Sequence, residues 1–421
     1  MTDAVADALV VRPSAIPAGI ERLQNGVLWL IGFSGAFVRW EPAPYEAIVS
    51  LGIVVFAASG LKLRPMHIPL IALLIATTVA YGIGVVPVME REGTVQWAAV
   101  SCFMAASSLF FAMVMAENTE RRLAALMTGY LLSALMAAFI GVAAWAHVIP
   151  SADYFLINGR AMATFKDANV YGPFLILPLA MTLSRLMAGQ YRSFVANAGI
   201  VLLIGAGLFF SFSRGAWGHF VATTVLMLAF NFLTARSNKE RIRILVFAAA
   251  GAAAVAFLIV LVLSIDSVAA LFRERASLVQ SYDAGPQGRF GRYLPGFLLM
   301  LDNPIGIGPM QFTRYFPEDP HDSFLDAFVA GGWLGGTTHL ALMVMTLALG
   351  LRQVFVRTPW QRAYIAIYAT FAAEVGESVI IDVQHWRHFY LLLGLIWGLM
   401  AVPRAVASGD EPHYSPARLG A

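Results

Sequence analysis

Residues 317–336 read PEDPHDSFLDAFVAGGWLGG. A polar prelude, with His321 between Asp319 and Asp322, gives way at once to an apolar, glycine-spotted run that looks like the start of a membrane helix. A histidine at that depth could cap a helix, line a pore or take a proton from a substrate. Which of these it does depends on what the rest of the chain builds around it.

Composition places the helix. The chain has 421 residues, is 59% hydrophobic and 13% charged, and has a mean hydropathy of +0.72. A soluble domain is about 45–50% apolar and about 25% charged, so most of this surface is expected to face lipid, and nucleic acid is not an expected partner. The single cysteine, Cys102, excludes a disulfide framework and a cysteine metal site. It reads as a small buried hydrophobe. The N-terminal stretch MTDAVADALVVRPSAIPAGIERLQNG has no basic region followed by an apolar core and a cleavage site, so it reads as a cytosolic tail.

A spanning helix needs about 20 mostly apolar residues. Twelve stretches qualify: 24–40, 44–61, 68–88, 95–116, 123–147, 170–188, 194–212, 216–234, 243–265, 323–350, 361–381 and 387–403. The stretches 149–169 and 266–322 are too polar to cross. Short cytoplasmic loops carry the excess of Lys and Arg. With the N-terminus inside, the outer face receives only Arg39, Arg91, Arg160, Lys166, Arg214, Arg273, Arg275, Arg289, Arg292, Arg314 and Arg387 of the 28 basic residues. The expectation is therefore an all-α, polytopic membrane protein of about twelve spans forming one domain over 1–421. Both termini are cytoplasmic, and 266–322 is a large periplasmic loop. No internal repeat stands out.

The outer basic residues are the chemistry-bearing ones. SFSRGAW (211–217) sets Arg214 in a tight turn at the membrane boundary, where a charge is costly and usually faces a polar cavity or snorkels to headgroups. YDAGPQGRFGRY (282–293) places Arg289 and Arg292 three residues apart, on one face if helical. In the following LDNPIGIGPMQF, Gly306 and Gly308 permit a close turn and give only a weak phosphate-loop signal. NGRAMATFKDANVYGP (158–173) adds Arg160, Lys166, Asp167 and Asn169. Guanidinium groups hold phosphate oxygens through two parallel bonds, so a cationic pocket at the outer rim fits a lipid-borne phosphate. His321 stays open between a neighbour of the helix cap and a proton acceptor. A metal site at His385, His388 and Asp382 is the weaker reading of those residues, which stand at a span end.

Four stretches, in this order, resemble the O-antigen ligase and polymerase superfamily: ATFKDANVYGPFL (163–175), SFSRGAW (211–217), GRFGRYLPGFLLMLDNPIGIGPMQF (288–312) and PHDSFLDAFVAGGWLGG (320–336). The first five spans match only in hydropathy. The resemblance implies a GT-C-like membrane glycosyltransferase. Such an enzyme transfers a glycan en bloc from undecaprenyl pyrophosphate to an acceptor sugar hydroxyl, on lipid A core or on a growing polysaccharide. By matching motif positions, Arg214 and Arg289 would grip the pyrophosphate and His321 would act as general base. Arg160, Lys166, Asn169, Arg292, Tyr293, Asp322 and Arg387 would line the pyrophosphate and glycan site. Asp322 stands where the family often has Asn, and Tyr293 near where Trp is common. No outer Asp-x-Asp pair is present, so no metal and no cofactor is expected. A transporter or flippase of a lipid-linked glycan is the alternative, but such folds often show repeats and broken helices near the midplane, whereas these polar residues concentrate at the outer face.

Overall fold

The computed structural model describes residues 18–189, 193–276, 285 and 288–402. The two tails read as cytoplasmic, Arg192, and residues 282–284 and 286–287 of the YDAGPQGRFGRY stretch lie outside them. Helices occupy each of the twelve apolar stretches. They are α1 (Ala18–Ser34), α2 (Pro44–Ala58), α3 (His67–Val85), α4 (Thr94–Met115), α5 (Thr119–Trp145), α6 (Ala168–Phe174) with α7 (Ile176–Met187), α8 (Phe194–Phe210), α9 (Arg214–Thr234), α10 (Asn238–Leu263), α13 (Ser323–Val354), α14 (Gln361–Glu377) and α15 (Arg387–Met400). Within 266–322 run two short helices, α11 (Asp266–Ala276) and α12 (Tyr293–Asp302). One two-residue antiparallel ladder, Leu156–Ile157 with Arg160–Ala161, ties the turn at Gly159.

Seven helices among the described residues are long and apolar enough to cross a membrane. Three more apolar helices, α2, α8 and α15, are shorter. The protein is thus a helical, multi-pass membrane protein. Its helices meet where small residues let backbones approach, as expected when lipid removes the hydrophobic drive between them. Gly32 of α1 lies against Leu126 and Tyr130 of α5, and Gly84 of α3 against Ala330 of α13. Gly394 of α15 lies against Ser108 of α4. The interior packs Trp397, Phe111, Phe371 and Phe389. The outward faces stay apolar: Val260, Phe257 and Leu245 of α10 are exposed. That lipid-facing logic corrects the reading of Cys102, which is exposed on α4, because a small apolar group loses nothing by facing hydrocarbon.

α13 is broken. At Gly332 the backbone turns to φ +62°, ψ −157°, a conformation open to glycine. The N–H of Trp333 donates to Pro304 O at 2.9 Å instead of completing the helical ladder, and Val329 O receives Ile307 N at 3.0 Å and Gly308 N at 3.1 Å. Gly306 and Gly308 are left-handed at φ +82° and +93°. Their loop docks on the break, which commits the amides of Ile307 and Gly308 to protein.

Candidate active site

Asp322 starts α13. Its Oδ1 accepts from Phe324 N at 2.8 Å and Leu325 N at 3.1 Å, an N-cap that satisfies two otherwise orphan donors. His321, one residue earlier, is half-buried and held left-handed at φ +50°, which is uncommon for a residue with a side chain. The Tyr293 hydroxyl points to the His321 carbonyl at 3.3 Å and to Val379 O at 3.0 Å. Arg289 Nη1 donates to Ile380 O at 3.2 Å. Ser323 N donates to Ser378 O at 2.9 Å. The turn after α14, residues 378–381, is therefore the seat on which three stretches meet.

Arg292 is 1% exposed, donates from Nη2 to Glu318 Oε2 at 2.9 Å, and leaves Nη1 without a hydrogen-bond partner among the described residues. Partial burial and the Arg289 charge hold the His321 imidazole below its ordinary pKa, with Arg292 adding to this and Glu318 and Asp319 opposing it. Such an environment keeps the imidazole neutral, the form that accepts a proton. Burial raises the Asp322 carboxyl above the usual range, against the two capping amides.

Arg214 is the first residue of α9, capped by Ser213, whose Oγ accepts from Ala216 N at 3.3 Å. A network pins this turn. Arg160 donates to Ser211 O at 2.9 Å and to Asn169 Oδ1 at 2.6 Å, and Ser213 Oγ donates to the same Asn169 oxygen at 2.9 Å. Asp167 caps α6 by accepting from Asn169 N at 2.8 Å. Arg160 and Asn169 thereby fix the backbone that carries Arg214. The turn meets the 378–381 seat through Gly215, whose Cα faces the Glu377 carboxyl.

Lys166 and Arg387 belong to a different cluster. Lys166 pairs with Glu41 at 2.9 Å, and Arg387 donates from Nε to Glu46 Oε1 at 2.6 Å, with Glu41 3.7 Å from its Nη2. The structure so brings Arg289, Arg292, Tyr293 and His321 together and sets Lys166 and Arg387 apart. Sequence reasoning did not single out Glu318, the 378–381 turn, Glu377 or its partner His219. His219 and Glu377 carried a usable signal, being ionisable residues in apolar helices. The turn carried none.

No curated protein matches the chain by sequence. Residues 199–340 match the family described as O-antigen ligase. The matched stretch contains Arg214, Arg289, Arg292, Tyr293, His321 and Asp322 and excludes Arg160, Lys166, Asn169 and Arg387. That match, over about a third of the chain, supports the resemblance to the O-antigen ligase and polymerase superfamily seen in the sequence.

Proposed function

We propose that this protein is a membrane glycosyltransferase that moves a glycan en bloc from undecaprenyl pyrophosphate to a sugar hydroxyl, at the outer face of the bacterial cytoplasmic membrane. The acceptor is lipid A core or a growing polysaccharide, which makes the enzyme a ligase or a polymerase. The observation that carries this reading is the convergence of Arg289 and Tyr293 on one backbone turn, with the His321 carbonyl against the same Tyr293 hydroxyl and the Arg289 and Arg292 charges acting on the His321 ring.

The chemistry follows from those groups. The neutral His321 imidazole takes the proton of the acceptor hydroxyl, whose oxygen bonds to the anomeric carbon as the carbon–oxygen bond to pyrophosphate breaks. Arg289, Arg292 and Arg214 stabilise the charge that develops on the leaving pyrophosphate, and preorganised donors in a water-poor site are worth most there. Three guanidinium groups do this without a divalent cation, so the enzyme is metal-independent. About twelve spans, cytoplasmic termini and a periplasmic 266–322 segment complete the reading, with Asp322 bordering the donor site and Arg160 and Asn169 fixing the turn that carries Arg214.

The test uses purified protein, an undecaprenyl-pyrophosphate-linked oligosaccharide, and either lipid A core or a second lipid-linked oligosaccharide. Transfer in the presence of EDTA is expected. Absence of transfer to both acceptors, with movement of the lipid-linked glycan across proteoliposome membranes, overturns the reading in favour of transport. In cells, deletion separates the two acceptors: loss of long chains with a single capped repeat indicates a polymerase, and accumulated carrier-linked polymer indicates a ligase.

A further inference from the structure

Inside the bundle, below the convergence on the 378–381 turn, lies a pair of ionisable groups that the proposed reaction does not use. His219 of α9 is 2% exposed and Glu377, the last residue of α14, is 5% exposed. His219 Nε2 lies 3.0 Å from Thr370 O and Nδ1 lies 2.8 Å from Glu377 Oε2. A carbonyl oxygen only accepts, so Nε2 carries a hydrogen. One further proton is shared between Nδ1 and the carboxyl group. In either arrangement the pair has no net charge.

The second carboxyl oxygen, Glu377 Oε1, is buried and has no hydrogen-bond partner among the described residues. It sits against the first turn of α9, so close to Gly215 that a Cβ there would lie 2.5 Å from it. Helix N-termini favour a carboxylate at this position. Gly215 and His219 are four residues apart and share the face of α9 turned to α14, while Arg214 begins the same helix. At its other end Glu377 holds the seat itself: its carbonyl receives Ile380 N at 2.9 Å and Ile381 N at 3.1 Å. Those bonds shape the turn whose carbonyls receive Arg289 and Tyr293.

A buried pair of this kind is poor value as a stabiliser, since well-packed apolar residues of similar volume often do as well or better. Its location gives it another use. We infer that Glu377 and His219 are positioning residues, which lock the first turn of α9 to the 378–381 turn and so set Arg214 at the distance from Arg289 that one pyrophosphate requires. This rests on the proposed glycosyl transfer and deepens it, by assigning how the two arginines are kept in register.

The test measures binding of geranylgeranyl pyrophosphate, a carrier-type pyrophosphate without sugar, to the full-length protein in nanodiscs. Because the pair is neutral, Glu377→Gln alters position rather than local charge. An error of about 1 Å in such a site costs up to about a hundredfold, so Glu377→Gln is expected to weaken binding by about tenfold or more. Groups that act as a unit are non-additive, so Arg214→Ala with Glu377→Gln should bind no more weakly than Arg214→Ala alone. Gly215→Ala, which pushes the carboxyl aside and keeps its chemistry, should reproduce the loss. It is the second variant should Glu377→Gln not yield monodisperse protein. A merely structural pair would lower the unfolding temperature and weaken binding by an amount that adds to that of Arg214→Ala. Additivity, or binding by both variants equal to wild type, overturns the inference. If Arg214→Ala and Arg289→Ala themselves bind as wild type, the proposed site fails instead, which distinguishes the two.

Discussion

Two of the charged clusters on this protein, one around Arg387 and one around Arg289, surround their arginines differently. Arg387 meets carboxylates, Glu46 and Glu41, with Lys166 sharing Glu41. The charges cancel and the cluster is internally complete. Arg289 gives a hydrogen bond to the Ile380 carbonyl, and the buried Arg292 donates to Gly288 O and to the exposed Glu318 carboxylate while its Nη1 has no hydrogen-bond partner among the described residues. A hydrogen bond to a carbonyl does not neutralise a guanidinium, whereas the carboxylates around Arg387 and Lys166 match their charges one for one. The contrast sorts these basic residues by what they touch.

The comparison is broken most severely at His321. His321→Ala is expected to lower transfer by about 10²–10⁴-fold, the usual worth of a general base, with the unfolding temperature and donor binding largely kept. Turnover above about a tenth of wild type would leave His321 as a neighbour of the helix cap. Next comes the arginine swap. Arg289→Lys keeps the charge and loses the planar fork, so activity measured with the lipid-linked donor should fall by about tenfold or more. Arg387→Gln should act mainly on stability, costing about 2 kcal/mol, between an exposed pair and a buried one. Equal losses of turnover from the two would erase the distinction drawn above.

The pH profile sharpens it. His321 is active as the neutral imidazole, and its pKa is depressed by burial and by Arg289. Activity should therefore be retained below about pH 6.5, the ordinary histidine value, and be lost only as the pH falls through the lowered pKa. Arg289→Gln removes the cation, so the acid limb of its residual activity should move up. A limb that does not move would separate Arg289 from His321. The smallest effect belongs to Tyr293→Phe, which loses the hydroxyl contacts to His321 O and Val379 O. A hydrogen bond worth about 1 kcal/mol predicts a several-fold loss of turnover, in kcat rather than in KM for the donor.

The helices were legible because apolar runs are a local property of the chain. The break in α13 was not, although Gly331 and Gly332 are plain in the sequence, because a glycine pair breaks a helix only when something pairs with the freed backbone. Here that is the 304–308 loop. At the site, Arg289, Arg292, Tyr293 and His321 stood out through residue type and motif. Lys166 and Arg387 stood out for the same reason, and their carboxylate partners, 125 residues away for Lys166 and 341 or more for Arg387, could not be read from spacing. The 378–381 turn is the extreme case. It works through the carbonyls of Ser378, Val379 and Ile380, which every residue type possesses, so its apolar side chains read as the tail of a membrane helix.

The exchange between α13 and the 304–308 loop also bears on how the chain is made. Near hydrocarbon, an unpaired backbone group costs several kcal/mol, so a helix interrupted at Gly332 cannot settle alone. Its missing partners are Pro304 O for Trp333 N, and Ile307 N and Gly308 N for Val329 O. Those residues precede α13 in the chain and leave the ribosome before it. When Gly332 arrives, the loop that completes it already exists, and the interruption forms as a closed set of hydrogen bonds. The order of synthesis thus matches the order of need, with about 25 residues, a second or a few of elongation, between the loop and the helix it completes.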